Sequence, residues 1–120
     1  LQALCVIRPI LHEGVTVLRI VDFVGANEAF ALLSDFILAM LEEYDAEYID
    51  LYSHGVQIEI LKQAGFINRK KANGLIIPNY FEPFEQKNID ITFAYKTNRS
   101  LPPVKLFKAD GDQDRPQLLK

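Results

Sequence analysis

The sequence predicts an α/β (α+β) fold: a mixed, mostly antiparallel twisted sheet that contains one parallel pair of strands joined by a long crossover helix. Three stretches carry this reading. Residues 15–23 (VTVLRIVDF) are a run of strand formers, residues 27–44 repeat apolar side chains at three- and four-residue steps, and residues 48–52 (YIDLY) form a second short apolar run. Strand, helix and strand in that order make one crossover, so the two strands are expected to be parallel neighbours.

Taken in order, residues 3–11 (ALCVIRPIL) are rich in strand formers but contain Pro9, which cannot donate to a ladder and belongs at an edge or a bulge. His12-Glu13-Gly14 gives a turn, and with residues 15–23 directly following, the simplest arrangement is an antiparallel hairpin. In the second strand Thr16, Leu18, Ile20 and Asp22 share one face and Val17, Arg19, Val21 and Phe23 the other. Neither face is cleanly polar, which places this strand in the middle of the sheet. Gly25 marks the turn into the helix, Asn27 is expected as its N-cap, and Glu28 lies in the first turn, where the helix end favours an acid. Phe30, Leu33, Ile37, Met40, Leu41 and Tyr44 form the buried stripe of this helix. A shorter helix with Val56, Ile60, Leu61 and Ala64 stops at Gly65, after which Phe66-Ile67 return to the core. Residues 75–77 and 88–96 (NIDITFAYK) read as two further strands bounded by Asn73-Gly74 and Pro78, and the two are candidates to pair. Tyr80, Phe81 and Phe84 around Pro83 form an aromatic loop.

A chain of 120 residues is sized for one domain. Residues 1–104 are assigned to it and residues 105–120 to a polar C-terminal tail, held, if at all, by Val104, Leu106 and Phe107. The chain begins at Leu1, within what already reads as a strand, so a fragment lacking its N-terminal part is one reading. A net charge of −3 gives no electrostatic footprint for nucleic acid, although Arg69, Lys70 and Lys71 form a basic spot able to meet a local anion. The single cysteine, Cys5, excludes an internal disulfide, fits a reducing cytoplasm and, among Leu4, Val6 and Ile7, reads as a buried structural thiol. No apolar run is long enough to span a bilayer, so no membrane partner is expected.

His54, beside Ser53 at the end of the second crossover strand, is the best side chain for proton transfer; the alternative is a turn histidine half in solvent. Asp22 and Asp50 fall on neighbouring strands, where a carboxylate pair across a cleft would raise one of their pKa values. The alternative is that each points to solvent or meets Arg19 or a lysine. Asp110, Asp112 and Asp114 alternate as a calcium loop begins, but Arg115 stands where glycine is needed, so no metal site is expected.

The element order, together with EILKQAGF at residues 59–66, resembles the C-terminal two-thirds of the GCN5-related N-acetyltransferase (GNAT) fold of the acyl-CoA N-acyltransferase superfamily. The resemblance covers residues 3–96. It implies acyl-CoA or acetyl-CoA held in the V between the strands at 15–24 and 48–52, with thioester contacts from the backbone at Val21, Phe23 and Val24. The diphosphate would lie at Gly25, Ala26 and Asn27, where the helix begins. An amine acceptor, an amino sugar among the candidates, would attack the acyl carbonyl, with His54 as base. The phosphate-loop stretch here is FVGANEAF, with one glycine and an acid at Glu28, and Leu61 stands where many members carry a tyrosine that protonates the leaving thiolate. A second function follows from these departures: a non-catalytic module that forms a homodimer or docks a partner through the loop at 80–84 and the sheet edge.

Overall fold

The computed structural model describes residues 2–71, 74–78, 85–98 and 104–111. They form a small mixed α+β domain built on a three-stranded sheet in the order β1 (Ala3–His12), β2 (Val15–Gly25), β3 (Ala46–Leu51). β1 and β2 are antiparallel and β2 and β3 parallel, so the doubly apolar strand is the central one and Pro9 sits on an edge. The hairpin closes through Glu13 and Gly14, both with positive φ (49° and 83°), the handedness that matches the twist of the flanking strands.

One irregularity in β2 changes its faces. Val6 pairs with Asp22 but Ile7 with Ile20, which leaves Val21 as an extra residue in a β-bulge. Simple alternation therefore fails beyond Ile20: Ile20 and Phe23, expected on opposite faces, enter the same core cluster. The parallel ladder runs from Thr16↔Ala46 to Ile20↔Leu51 and ends there. The strands thus part at the bulge, four residues before Gly25, where the sequence places the hinge.

The crossover is two helices rather than one, α1 (Asn27–Ala31) and α2 (Ser34–Glu43), with a turn at Leu32-Leu33. Ala26, with extended backbone, occupies the N-cap position expected for Asn27, and no side chain caps the helix. Phe30 and Ile37 are buried, Leu33 and Leu41 pack beside them, and Leu32, Phe36 and Leu38 are exposed.

After β3 the chain makes a two-residue strand, β4 (Ser53–His54), and a short helix, α3 (Ile58–Gln63). α3 ends as the sequence predicts. Gly65 takes φ 91°, its N–H donates to the Lys62 carbonyl at 3.0 Å and that of Phe66 to Leu61 at 2.9 Å, the double bond of a Schellman cap. Phe66 returns to the core, whereas Ile67 is exposed, contrary to expectation. A 3-10 turn follows at Arg69–Lys71.

Residues 75–77 and 88–96 form no strand; both are irregular. They are nonetheless tied together by one side chain: Asn88 accepts from the Ile77 N–H at 2.9 Å and donates to the Leu75 carbonyl at 2.7 Å, standing in for a strand partner. The expected aromatic loop at Tyr80, Phe81 and Phe84 lies outside the described residues.

The stretch expected to begin the tail packs on the domain. β5 (Leu106–Phe107) pairs antiparallel with β4, and a 3-10 turn follows at Lys108–Gly111. Phe107 completes an aromatic core with Phe23 of β2, Phe30 of α1 and Phe66. Phe23 and Phe30 meet edge to face at 4.9 Å, and Phe107 lies 6.3 Å from Phe23 and 6.5 Å from Phe30. Such ring pairs contribute about 0.5–1.5 kcal/mol beyond area burial. Residues 112–120 lie outside the described residues.

Candidate functional site

The chain leaves β3 at its C-terminal end through Tyr52, Ser53 and His54, the end of a parallel pair where ligands most often bind. A cavity of about 590 Å³ opens there. This is the size of a small-molecule site. Its walls come from this strand end, from Arg69 and Lys70, from the irregular stretch 90–95, and from residues 106–111.

His54 stands in an aromatic setting. Its Nε2 is hydrogen-bonded to the Tyr95 hydroxyl at 3.2 Å, the tautomer deciding which group donates, and its ring lies 5.1 Å from Phe93 and 5.4 Å from Tyr95. Phe93 and Tyr95 stack on each other and are half exposed, so the imidazole has one polar partner and a route to solvent.

The two carboxylates expected to face each other have separate partners. Asp50 is buried and takes a bidentate pair of hydrogen bonds from Arg19, Nε at 2.7 Å and Nη2 at 2.6 Å. Asp22 accepts from the Phe23 N–H at 2.7 Å and lies close enough to Cys5 to act on its thiol. Cys5 is half-buried, and this burial, with the Asp22 charge adding to it, pushes its thiol up to about 11. Asp50 is one half of a buried ion pair with Arg19.

Of the backbone groups expected to hold a cofactor, Val21 and Phe23 are buried, and the Phe23 N–H is spent on Asp22. Val24 and Ala26 are exposed, while Gly25 and Asn27 are half-buried. α1 has five residues and carries Glu28 in its first turn, a weak dipole with an acid on it. The cation at this end of β2 comes from elsewhere: Lys105 donates through Nζ to the Gly25 carbonyl and lies 5.9 Å from the Phe23 ring centre. No local pattern points to it, because Lys105 is 80 positions away along the chain.

Two cations also flank Tyr52. Arg19 Cζ is 5.2 Å and Lys108 Nζ 4.9 Å from its ring centre, and Lys108 is itself buried. Burial raises the Tyr52 pKa, with Asp50 adding to it, while Arg19 and Arg69 oppose it. The Tyr52 hydroxyl and Arg69 Nη1 are both buried and have no hydrogen-bond partner among the described residues. Leaving such a group unpaired costs about 1–3 kcal/mol, and two in one cavity wall call for an explanation. Gly55, next to β4, lies so close to the Val104 carbonyl that a Cβ would overlap it, and its φ of 80° favours glycine besides. The approach of the C-terminal segment thus depends on that residue.

Among the described residues no group of three His, Cys, Asp or Glu side chains is placed to hold a metal ion, and no helix is long and apolar enough to cross a membrane. Comparisons with protein-family models, with curated proteins and with solved structures give no match. The class defined by the coordinates is a small mixed α+β domain with a cavity at the end of its parallel strand pair.

Proposed function

We propose that the domain is GNAT-like and serves acyl transfer, taking an acyl group from acyl-CoA or acetyl-CoA to an amine. The observation that carries this reading is the parting of β2 from β3 after Ile20↔Leu51, at the Val21 bulge. A parallel pair that separates leaves an inner strand edge without a strand partner, and an extended thioester arm can be received there; the Phe23 N–H is already taken by Asp22 and the Gly25 carbonyl by Lys105. The mouth of the wedge carries Lys105, a point charge suited to a diphosphate. The amine would enter by the cavity, with His54 as general base and the Phe93, Tyr95 and Tyr52 rings as apolar surface for an amino sugar or similar acceptor.

The test is a thermal-shift titration with CoA and acetyl-CoA beside an acetyl-transfer assay over a panel of amines. The melting temperature is expected to rise with ligand as ln(1 + [L]/Kd), and His54→Ala to lower kcat about 10²–10⁴-fold, the usual contribution of a positioned base. Absence of a CoA shift would overturn the reading, and unchanged turnover would remove His54 from it.

A second reading has its own observation in favour. Phe107 packs on Phe23 and Phe30, within the region where β2 has left β3. In that reading the C-terminal segment takes the place of a cofactor arm, and the module dimerises or docks a partner, the edge strand β1 offering exposed Leu4 and Val6. It predicts no CoA shift and a dimer by light scattering.

A further inference from the structure

We infer that the cavity at the end of β3 binds an oxyanion, a carboxylate or a phosphate, through the Tyr52 hydroxyl and Arg69 Nη1. The two atoms are buried polar groups without hydrogen-bond partners among the described residues, and both residues line the same cavity. Arg69 is held in place by its other terminal nitrogen: Nη2 donates to the Ile89 carbonyl at 2.7 Å and to Asp90 at 2.8 Å. The guanidinium is therefore oriented before any ligand arrives, and its remaining face offers donors only. A phenol can donate as well, so the two together match an acceptor with several lone pairs. Lys108, buried against the Tyr52 ring, and Lys70 add positive charge to the walls.

The acids on those walls have other work. Asp90 pairs with Arg69 and lies 3.7 Å from Lys70, while Asp110 accepts from the Phe107 N–H at 2.7 Å. A cationic ligand would oppose the Arg69 charge, and a neutral acceptor would meet the donors without balancing that charge; an oxyanion does both. For its place in catalysis the inference rests on the proposed acyl transfer, where it makes the acceptor an amine that also bears a carboxylate or phosphate. Anion binding itself is measured without that assumption.

The experiment is a thermal-shift titration of the whole chain with sodium phosphate and, separately, sodium acetate, each against sodium chloride at matched ionic strength. At least one anion is expected to raise the melting temperature beyond chloride, and which one does so distinguishes the two sources. Tyr52→Phe keeps the ring and removes only the hydroxyl. It is expected to leave the ligand-free melting temperature unchanged or higher, because the group it deletes has no partner, and to weaken the anion about tenfold. Arg69→Gln is expected to abolish the anion effect; should that variant not fold, Tyr52→Phe decides alone. No rise beyond chloride with either anion, or a rise that Tyr52→Phe leaves unchanged, overturns the inference. A parallel acetyl-CoA titration keeps the two proposals apart: a CoA shift without an anion effect removes only the oxyanion site, and an anion effect without a CoA shift removes only acyl transfer.

Discussion

Arg19 and Asp50 are adjacent in the β2–β3 register and buried, so each is the other's replacement for water. Removing one partner strands the other's charge. Asp50→Asn is expected to cost about 3–5 kcal/mol in urea unfolding, whereas replacing both residues by apolar ones of similar volume should cost much less. Equal losses in the two variants would show that packing, not charge, holds the strands in register. Cys5 makes a second residue-scale prediction. Its pKa is about 11 in the folded chain against 9.0 for the unperturbed thiol, so the thiol is protonated in both states below pH 9, and above it the unfolded chain releases the proton first. Stability should therefore fall as pH rises from 9 towards 11, Tyr52 adding to the fall at the upper end because its pKa is also raised. Cys5→Ala should flatten the decline in melting temperature across that window, and an identical slope would exclude Cys5 as its source. Cys5, expected to be buried among Leu4, Val6 and Ile7, is half-buried, and Leu4 and Val6 are exposed, because neighbours along a strand point to opposite faces. The Arg19–Asp50 pair stood open as one of two readings, because residue spacing says nothing about which cross-strand partner a carboxylate meets.

The hairpin, the central strand and the cap on α3 were legible because each follows a local rule: a glycine turn, a run apolar on both faces, a glycine followed by a buried aromatic. The turn is not optimal. Glu13 sits at φ 49°, a conformation that costs a non-glycine residue about 1–2 kcal/mol and that asparagine tolerates better. Glu13→Asn is expected to stabilise the domain by ~1 kcal/mol in denaturant melts, without moving the β1–β2 register. The bulge and the helix break were not legible. Val21 lies in a stretch of strand formers with no glycine or proline to mark an extra residue, and Leu32-Leu33 likewise contains neither glycine nor proline to signal a stop. The irregular stretch 88–95 has strand composition, but its tie to residues 75–77 passes through Asn88, a residue that composition assigns to a turn.

At the scale of the molecule, the C-terminal segment decides whether the site exists. Phe107→Ala is expected to cost about 3–5 kcal/mol, since it removes one ring of the four-phenylalanine core. Gly55→Ala should loosen the same segment by pushing on the Val104 carbonyl, read out as faster amide exchange at Leu106 and Phe107 with β1–β2 protection retained. Uniform exchange across both regions would instead mean that the segment and the sheet open as one unit. The candidate site was half visible from the residues alone: His54 and the basic spot at Arg69 and Lys70 were named, while Tyr52, Lys105 and Lys108 were not, because long-range pairing of two-residue strands leaves no pattern. His54 pairs with Leu106, more than fifty positions further along the chain. On the ribosome, then, the hairpin and the crossover can form well before Phe107 emerges. The aromatic floor they build waits uncovered, and the cavity can acquire its final wall only when synthesis has passed residue 111.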